Sequence, residues 1–135
     1  MEGCTAPPAS KKRCVDWEVL PDDRVSEMAA SSFPLWTVQR DEALSCNKLV
    51  RKFVCKNFVA AMDFLQKTGE AAEVQGHHPD LHLTNFNNVE VVVYSHSLRG
   101  VTENDFILCG NIDAIKVTYS KKFLDANPAC QVNSK

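Results

Sequence analysis

At 135 residues the chain is long enough for one domain with a real core and too short for two of ordinary size. Its 44% hydrophobic and 24% charged residues exclude disorder and a membrane-spanning class. A net charge of −2 argues against direct nucleic-acid binding, which calls for an excess of Lys and Arg over the phosphates, and the run Lys11-Lys12-Arg13 is too short to change that.

The six cysteines, at positions 4, 14, 46, 55, 109 and 130, form no Cys-x-x-Cys pair and follow no regular spacing. They read as free thiols of a reducing compartment, with Cys55 and Cys109 packed as small hydrophobes. No apolar signal-peptide core opens the chain, so the cytoplasm is the expected location, with an organellar or nuclear pool left open.

Residues 1–15, with Pro7-Pro8 and small polar side chains, read as a flexible arm, 16–124 as one folded domain, and 125–135 as a flexible tail carrying Asn127-Pro128. Asp22 and Asp23, after Pro21, give an N-cap signal for a first helix with Val25, Met28 and Ala29 on its apolar face. Alternation over Trp36–Arg40 and Lys48–Cys55 predicts a hairpin, with Leu49, Arg51, Phe53 and Cys55 on one side. Asn57 then caps a helix in which Phe58, Ala61, Met62, Leu65 and Ala72 recur at three- and four-residue spacing, and Gly76 suits the left-handed position that ends it. Leu81–Phe86 and Val89–Tyr94 flank Asn87-Asn88 and predict a second hairpin. Val91-Val92-Val93 is apolar on both faces, as in a strand covered on one side by helices and on the other by another subunit or a ligand. Thr102-Glu103-Asn104-Asp105 resembles a capping box with Asp in place of Glu, opening a last helix along Phe106, Ile107, Gly110, Ala114 and Val117. The order α-β-β-α-β-β-α predicts an α+β fold, a four-stranded antiparallel sheet with helices packed on one face.

All four histidines fall within residues 77–96, and imidazole alone has an unperturbed pKa, near ~6.5, suited to giving and taking protons around neutrality. His77 and His78 follow the helix end at Gly76, where the negative end of the helix macrodipole favours a charged imidazole by about 0.3–1 kcal/mol. Glu73 lies four residues before His77, one turn back. Pro79 pushes His78 out of the helical region, so the two adjacent side chains point in opposite directions and either can face a reaction. His96 follows the fourth strand and Asp105 opens the last helix, and both converge on the His77-His78 loop if the second hairpin folds back beside it. Such groups supply about 10²–10⁴ in rate, enough for proton transfers on a reactive substrate. His82, mid-strand, reads as a packing or surface residue. A metal site from His77, His82 and His96 does not match common ligand spacings. No Gly-rich phosphate loop, nucleophile elbow or dinucleotide fingerprint is present.

The run Glu73-x-x-x-His77-His78-Pro79-Asp80-Leu81-His82-Leu83, then Asn88-x5-Tyr94-Ser95-His96, then Gly100-Val101-Thr102-x-x-Asp105-Phe106, resembles the signature of the pterin-4a-carbinolamine dehydratases. Trp36, Leu49-x-Arg51-x-Phe53 and Lys56-Asn57-Phe58 extend the likeness over roughly residues 20–120. The resemblance implies a lyase that dehydrates 4a-hydroxytetrahydrobiopterin to quinonoid dihydropterin in tetrahydrobiopterin recycling, with no metal and no cofactor. It implies His77, His78 and His96 as catalytic residues, His78 or His96 leading, with Glu73, Trp36 and Asp105 as substrate-binding residues. It also implies a homotetramer, a dimer of dimers. Animal members bind and stabilise a dimeric transcription factor, so the resemblance carries an alternative as well, an interaction protein in which catalysis is secondary or lost.

Overall fold

Local chemistry sets most of the element ends in the computed structural model, which describes residues 17–134. The elements are α1 (Asp22–Ser32), β1 (Thr37–Asp41), β2 (Cys46–Val54), α2 (Phe58–Gln75), β3 (Asp80–Thr84), β4 (Asn88–Val93) and α3 (Glu103–Asp113), the order expected from the sequence. A short α4 (Lys121–Ala126) and a 3-10 turn (Pro128–Asn133) follow. The expected arm over residues 1–15 lies outside the described residues. Among the described residues no helix is long and apolar enough to cross a membrane.

Asn57 caps α2, its side chain accepting the Ala60 N–H at 2.8 Å. Gly76 ends that helix with φ 71°, a left-handed conformation that costs glycine nothing. The Gly76 N–H donates to the Glu73 carbonyl and the His77 N–H to the Ala72 carbonyl, the paired bonds of a Schellman motif. The capping box at α3 is present, with Thr102 and Asp105 satisfying each other's backbone N–H groups. At α1 the residue in the cap position is Pro21, and Asp22 and Asp23 sit inside the first turn, where their charge still complements the helix dipole.

The four strands form one antiparallel sheet in the order β1-β2-β4-β3. Leu49, Arg51 and Phe53 of β2 stand in register with Val93, Val91 and Val89 of β4, so all six share one face, and all are buried. Helices α2 and α3 cover that face. The Phe53 ring lies 4.5 Å from Phe64 of α2, and Arg51 bonds Asp113 at the end of α3. Burying one such phenyl ring contributes about 1.5–3 kcal/mol. The opposite face carries Lys48, Val50 and Lys52 beside Tyr94, Val92 and Glu90.

Besides α3, which ends at Asp113 and so falls short of the Ala114 and Val117 expected on its stripe, three expectations differ in detail. The buried face of α2 is Ala61, Phe64, Thr68, Ala71, Ala72 and Gln75, whereas Phe58 and Met62 of the expected stripe are exposed. Apolar residues occupy two faces of this helix, and the sheet selects the one with Phe64. In the second hairpin the residues with positive φ are Asn85 and Phe86, not Asn87 and Asn88. The strands pair Thr84 with Asn88, which moves the turn towards the N-terminus.

The third difference is the C-terminal segment, expected as a loose tail. It packs back on the domain, burying Cys130 and Asn133. Asn133 accepts from the Tyr119 hydroxyl at 2.5 Å, donates to the Ile115 carbonyl at 3.1 Å, and its own carbonyl accepts from the Val117 N–H.

Candidate active site

The Schellman turn at Gly76 delivers His77 and His78 to the end of the sheet with opposite fates. His77 is buried and His78 is exposed. The sequence left open which of the two faces outward, and the structure turns His78 to solvent.

Each of the three neighbouring histidines is bonded through Nε2 to its own carboxylate. The His77 ring meets Asp105 Oδ1 at 2.5 Å, His78 meets Glu73 Oε2 at 2.5 Å, and His96 meets Asp80 Oδ1 at 3.0 Å. The first pair is fully enclosed, whereas both members of the other two are substantially exposed.

Asp105 has a second duty beneath the surface. Its Oδ2 accepts from the Thr102 N–H at 2.7 Å, the Ser95 hydroxyl at 2.9 Å and the Thr102 hydroxyl at 3.2 Å. The carboxylate that starts α3 is therefore also the partner of His77, and the end of α2 is tied to the start of α3. Trp17 closes the buried pair, its indole edge-on to the His77 imidazole at a centroid distance of 4.9 Å.

On the solvent side, the ring of Tyr94 lies 4.3 Å from that of His96. Lys48 sits over the Tyr94 ring at 4.6 Å and pairs with Asp41 at 2.8 Å. The bond between them holds the Asp41 carboxyl below its ordinary range and raises the Lys48 ammonium above its own.

The expected site residues thus divide. Glu73, His77, His78, His96 and Asp105 gather at this end of the sheet. Helical spacing alone would set Glu73 one turn before His77. The left-handed Gly76 breaks that periodicity, and Glu73 pairs with His78 instead. His82 stands in register with Glu90, two residues further along β3 than Asp80, which stands in register with Val92 and is the partner of His96.

Trp36, expected at the pocket, stands in a different cluster. It is buried, and its indole N–H donates to Asp113 at 2.9 Å, beside Arg51, which donates to the same oxygen at 2.5 Å. Burial pushes the Asp113 carboxyl up, against the pull of Arg51 and the indole. Arg51 also donates to the Tyr119 hydroxyl at 2.8 Å, and burial raises that phenol as well. The cluster joins the sheet to α3 and to the C-terminal segment. The aromatic groups at the histidines are Trp17 and Tyr94.

Two residues of the site escaped the sequence reading. Asp80 had a usable signal, since a strand beginning at residue 80 after an extended His78-Pro79 places 78 and 80 on one face. Trp17 had none, because its contact with His77 depends on the bond from the Leu20 N–H to the Val101 carbonyl, far away in sequence.

A buried histidine–carboxylate pair beneath two exposed ones offers groups able to give and take protons from a fixed scaffold. Comparison with known proteins shows the family. Residues 18–115 match the family described as pterin 4 alpha carbinolamine dehydratase, and the chain belongs to that family. It is 35% identical over 118 residues to pterin-4-alpha-carbinolamine dehydratase 2, mitochondrial, of Arabidopsis thaliana, an overlap of 84% of this chain and 62% of that protein. It is 40% identical over 100 residues to a putative pterin-4-alpha-carbinolamine dehydratase of Chlorobaculum tepidum, covering 72% and 87% of the two chains. Among solved structures, a transcriptional coactivator/pterin dehydratase from Brucella melitensis superposes with a TM-score of 0.61 at 28% identity, covering 72% of this chain and 97% of that one.

Proposed function

We propose that this protein is a hydro-lyase that dehydrates 4a-hydroxytetrahydrobiopterin, acting by histidine general acid–base catalysis. The observation that carries the reading is the trio of histidine–carboxylate pairs in a chain of this family, two of them open to solvent at one end of the sheet. In the reaction the C4a–O bond breaks, the hydroxyl takes a proton from an acid and leaves as water, N5 gives its proton to a base, and the C4a–N5 double bond of the quinonoid dihydropterin forms. His78 and His96 act as the acid and the base. His77 and Asp105 brace the loop from below, and Glu73 orients His78. No electron transfer is involved, and side chains are sufficient for both protons.

The intact pairs favour catalysis over a role confined to binding a partner protein. We place the protein in the cytoplasm as a homotetramer within the same reading, and a solution mass measurement at micromolar concentration tests the assembly.

The central test is dehydration of freshly generated 4a-hydroxytetrahydrobiopterin by purified protein. Wild type should exceed the buffer rate, and His78→Ala and His96→Ala should each lose about 10²–10⁴ of the enhancement. Equal rates for wild type, both variants and the buffer blank would refute the assignment.

A further inference from the structure

The second exposed pair has a feature that the first lacks. Asp80 opens β3 in register with Val92, so the carboxylate stands on a short side chain from a paired strand. Glu73 reaches His78 from the last turn of a helix on a longer and more exposed side chain, with more rotamer freedom to lose. His96 is also held from its other side, the Tyr94 ring packing on the imidazole and Lys48 packing on Tyr94. Of the two solvent-facing imidazoles, His96 is therefore the one with both its ring plane and its Nε2 fixed.

From this geometry we infer that Asp80 is a positioning residue for His96: by accepting the Nε2–H at 3.0 Å it fixes the tautomer and ring orientation, so that protons pass to or from substrate through Nδ1. The inference rests on the dehydratase reading for the identity of the substrate. The tautomer does not depend on it. A neutral imidazole carries one N–H, and an ionised carboxylate can only accept, so the bond to Asp80 places the hydrogen on Nε2 and the lone pair on Nδ1. When His96 acts as an acid it holds both hydrogens, and the one not committed to Asp80 is again on Nδ1. An exposed ion pair contributes little to folding, so stability alone gives little reason for the arrangement.

The test is a series at position 80 with His82→Ala as a remote control. Asp80→Asn keeps a carbonyl that can accept the Nε2–H. Asp80→Ala releases the ring, and Asp80→Lys offers only donors and so opposes the Nε2–H tautomer. In the dehydration assay kcat should fall in the order Asn, Ala, Lys. The expected losses are about tenfold to a hundredfold for Ala and about 10³ for Lys, with KM within about twofold and melting temperatures near wild type. Long-range ¹H–¹⁵N spectra of labelled protein at pH ~8.5, where free imidazole is neutral, should show His96 as Nε2–H in wild type and as Nδ1–H in Asp80→Lys.

Turnover in wild type with Asp80→Ala and Asp80→Lys indistinguishable from His82→Ala would overturn the positioning role and leave the dehydratase reading standing. No turnover in wild type would instead sink the dehydratase reading. The spectra then decide the tautomer by themselves, with Nε2–H in wild type supporting it and Nδ1–H or a solvent-like mixture overturning it.

Discussion

Replacing Asp105 by alanine removes the acceptor for four bonds at once, and the structure allows the cost to be worked through. Asp105 is fully buried and takes the Thr102 N–H, the Thr102 and Ser95 hydroxyls, and His77. One of the two hydroxyls can donate to the other, since they already lie 3.1 Å apart. The Thr102 N–H and the His77 Nε2–H have no such recourse. Each of these two buried donors, the Thr102 N–H being the cap bond itself, costs about 1–3 kcal/mol when left without an acceptor. The sum is about 2–6 kcal/mol, or a fall of about 8–24 °C in Tm for a domain of this size. Asp105→Asn is isosteric and keeps one acceptor oxygen, so its cost should be about 1–2 kcal/mol. Thermal and urea unfolding at matched protein concentration measure both variants. The Asp105→Ala, Ser95→Ala double-mutant cycle should show coupling of at least about 0.5 kcal/mol. An Asp105→Ala protein within about 1 kcal/mol of wild type would mean that the enclosed pair does not hold α2 to α3, and the bracing argument would fail.

Burial pushes the Cys55 thiol up to about 11 and raises Cys109 well above its ordinary value, so at pH 8 only about a thousandth of Cys55 is thiolate. Peptide mapping after alkylation should find both unmodified in native protein and modified in urea; rapid native labelling of either would contradict the packing. Asp41 titrates below its unfolded value because of Lys48, so the pair's contribution is present above about pH 4 and is lost as pH falls through the folded value. The Tm difference between wild type and Asp41→Asn should accordingly be seen at pH 7 and close towards pH 2, and a difference that widened in acid would refute the sign. Asn133→Ala leaves the buried Tyr119 hydroxyl without its acceptor and the Ile115 carbonyl without its donor, a loss of about 1–3 kcal/mol by denaturant unfolding. No loss would mean that the C-terminal segment is detached in solution.

Features set by neighbours in sequence were readable before the structure. Asn57, Gly76 and Thr102 through Asp105 mark helix ends through bonds that span three or four residues, and all three fall where local chemistry puts them. Features set by distant partners were not. The face that α2 buries depends on the fit of Phe64 to Phe53, and the alternative stripe through Phe58 and Met62 is equally periodic. Arg51 bonds Tyr119 and Cys130 across 68 and 79 residues, which is why the C-terminal segment looked unattached and why Trp36, beside the same Arg51–Asp113 pair, looked free to serve a pocket. In the site, the histidines were legible from their crowding, but their assignment to carboxylates was not, because Gly76 resets the phase between Glu73 and the pair.

That phase shift explains how one tripeptide can serve both scaffold and chemistry. An unbroken helix would carry residues 77 and 78 round a continuous spiral, about 100° apart, and leave both near one surface. The left-handed glycine followed by Pro79 substitutes an extended link, and extended neighbours face opposite ways. His77 is thereby sent inward to the carboxylate that begins α3, while His78 is sent outward to Glu73. The inward bond fixes the position of the outward residue. It follows that Gly76→Ala, which penalises the positive φ, should disturb both pairs together, whereas a change at Glu73 should reach only His78.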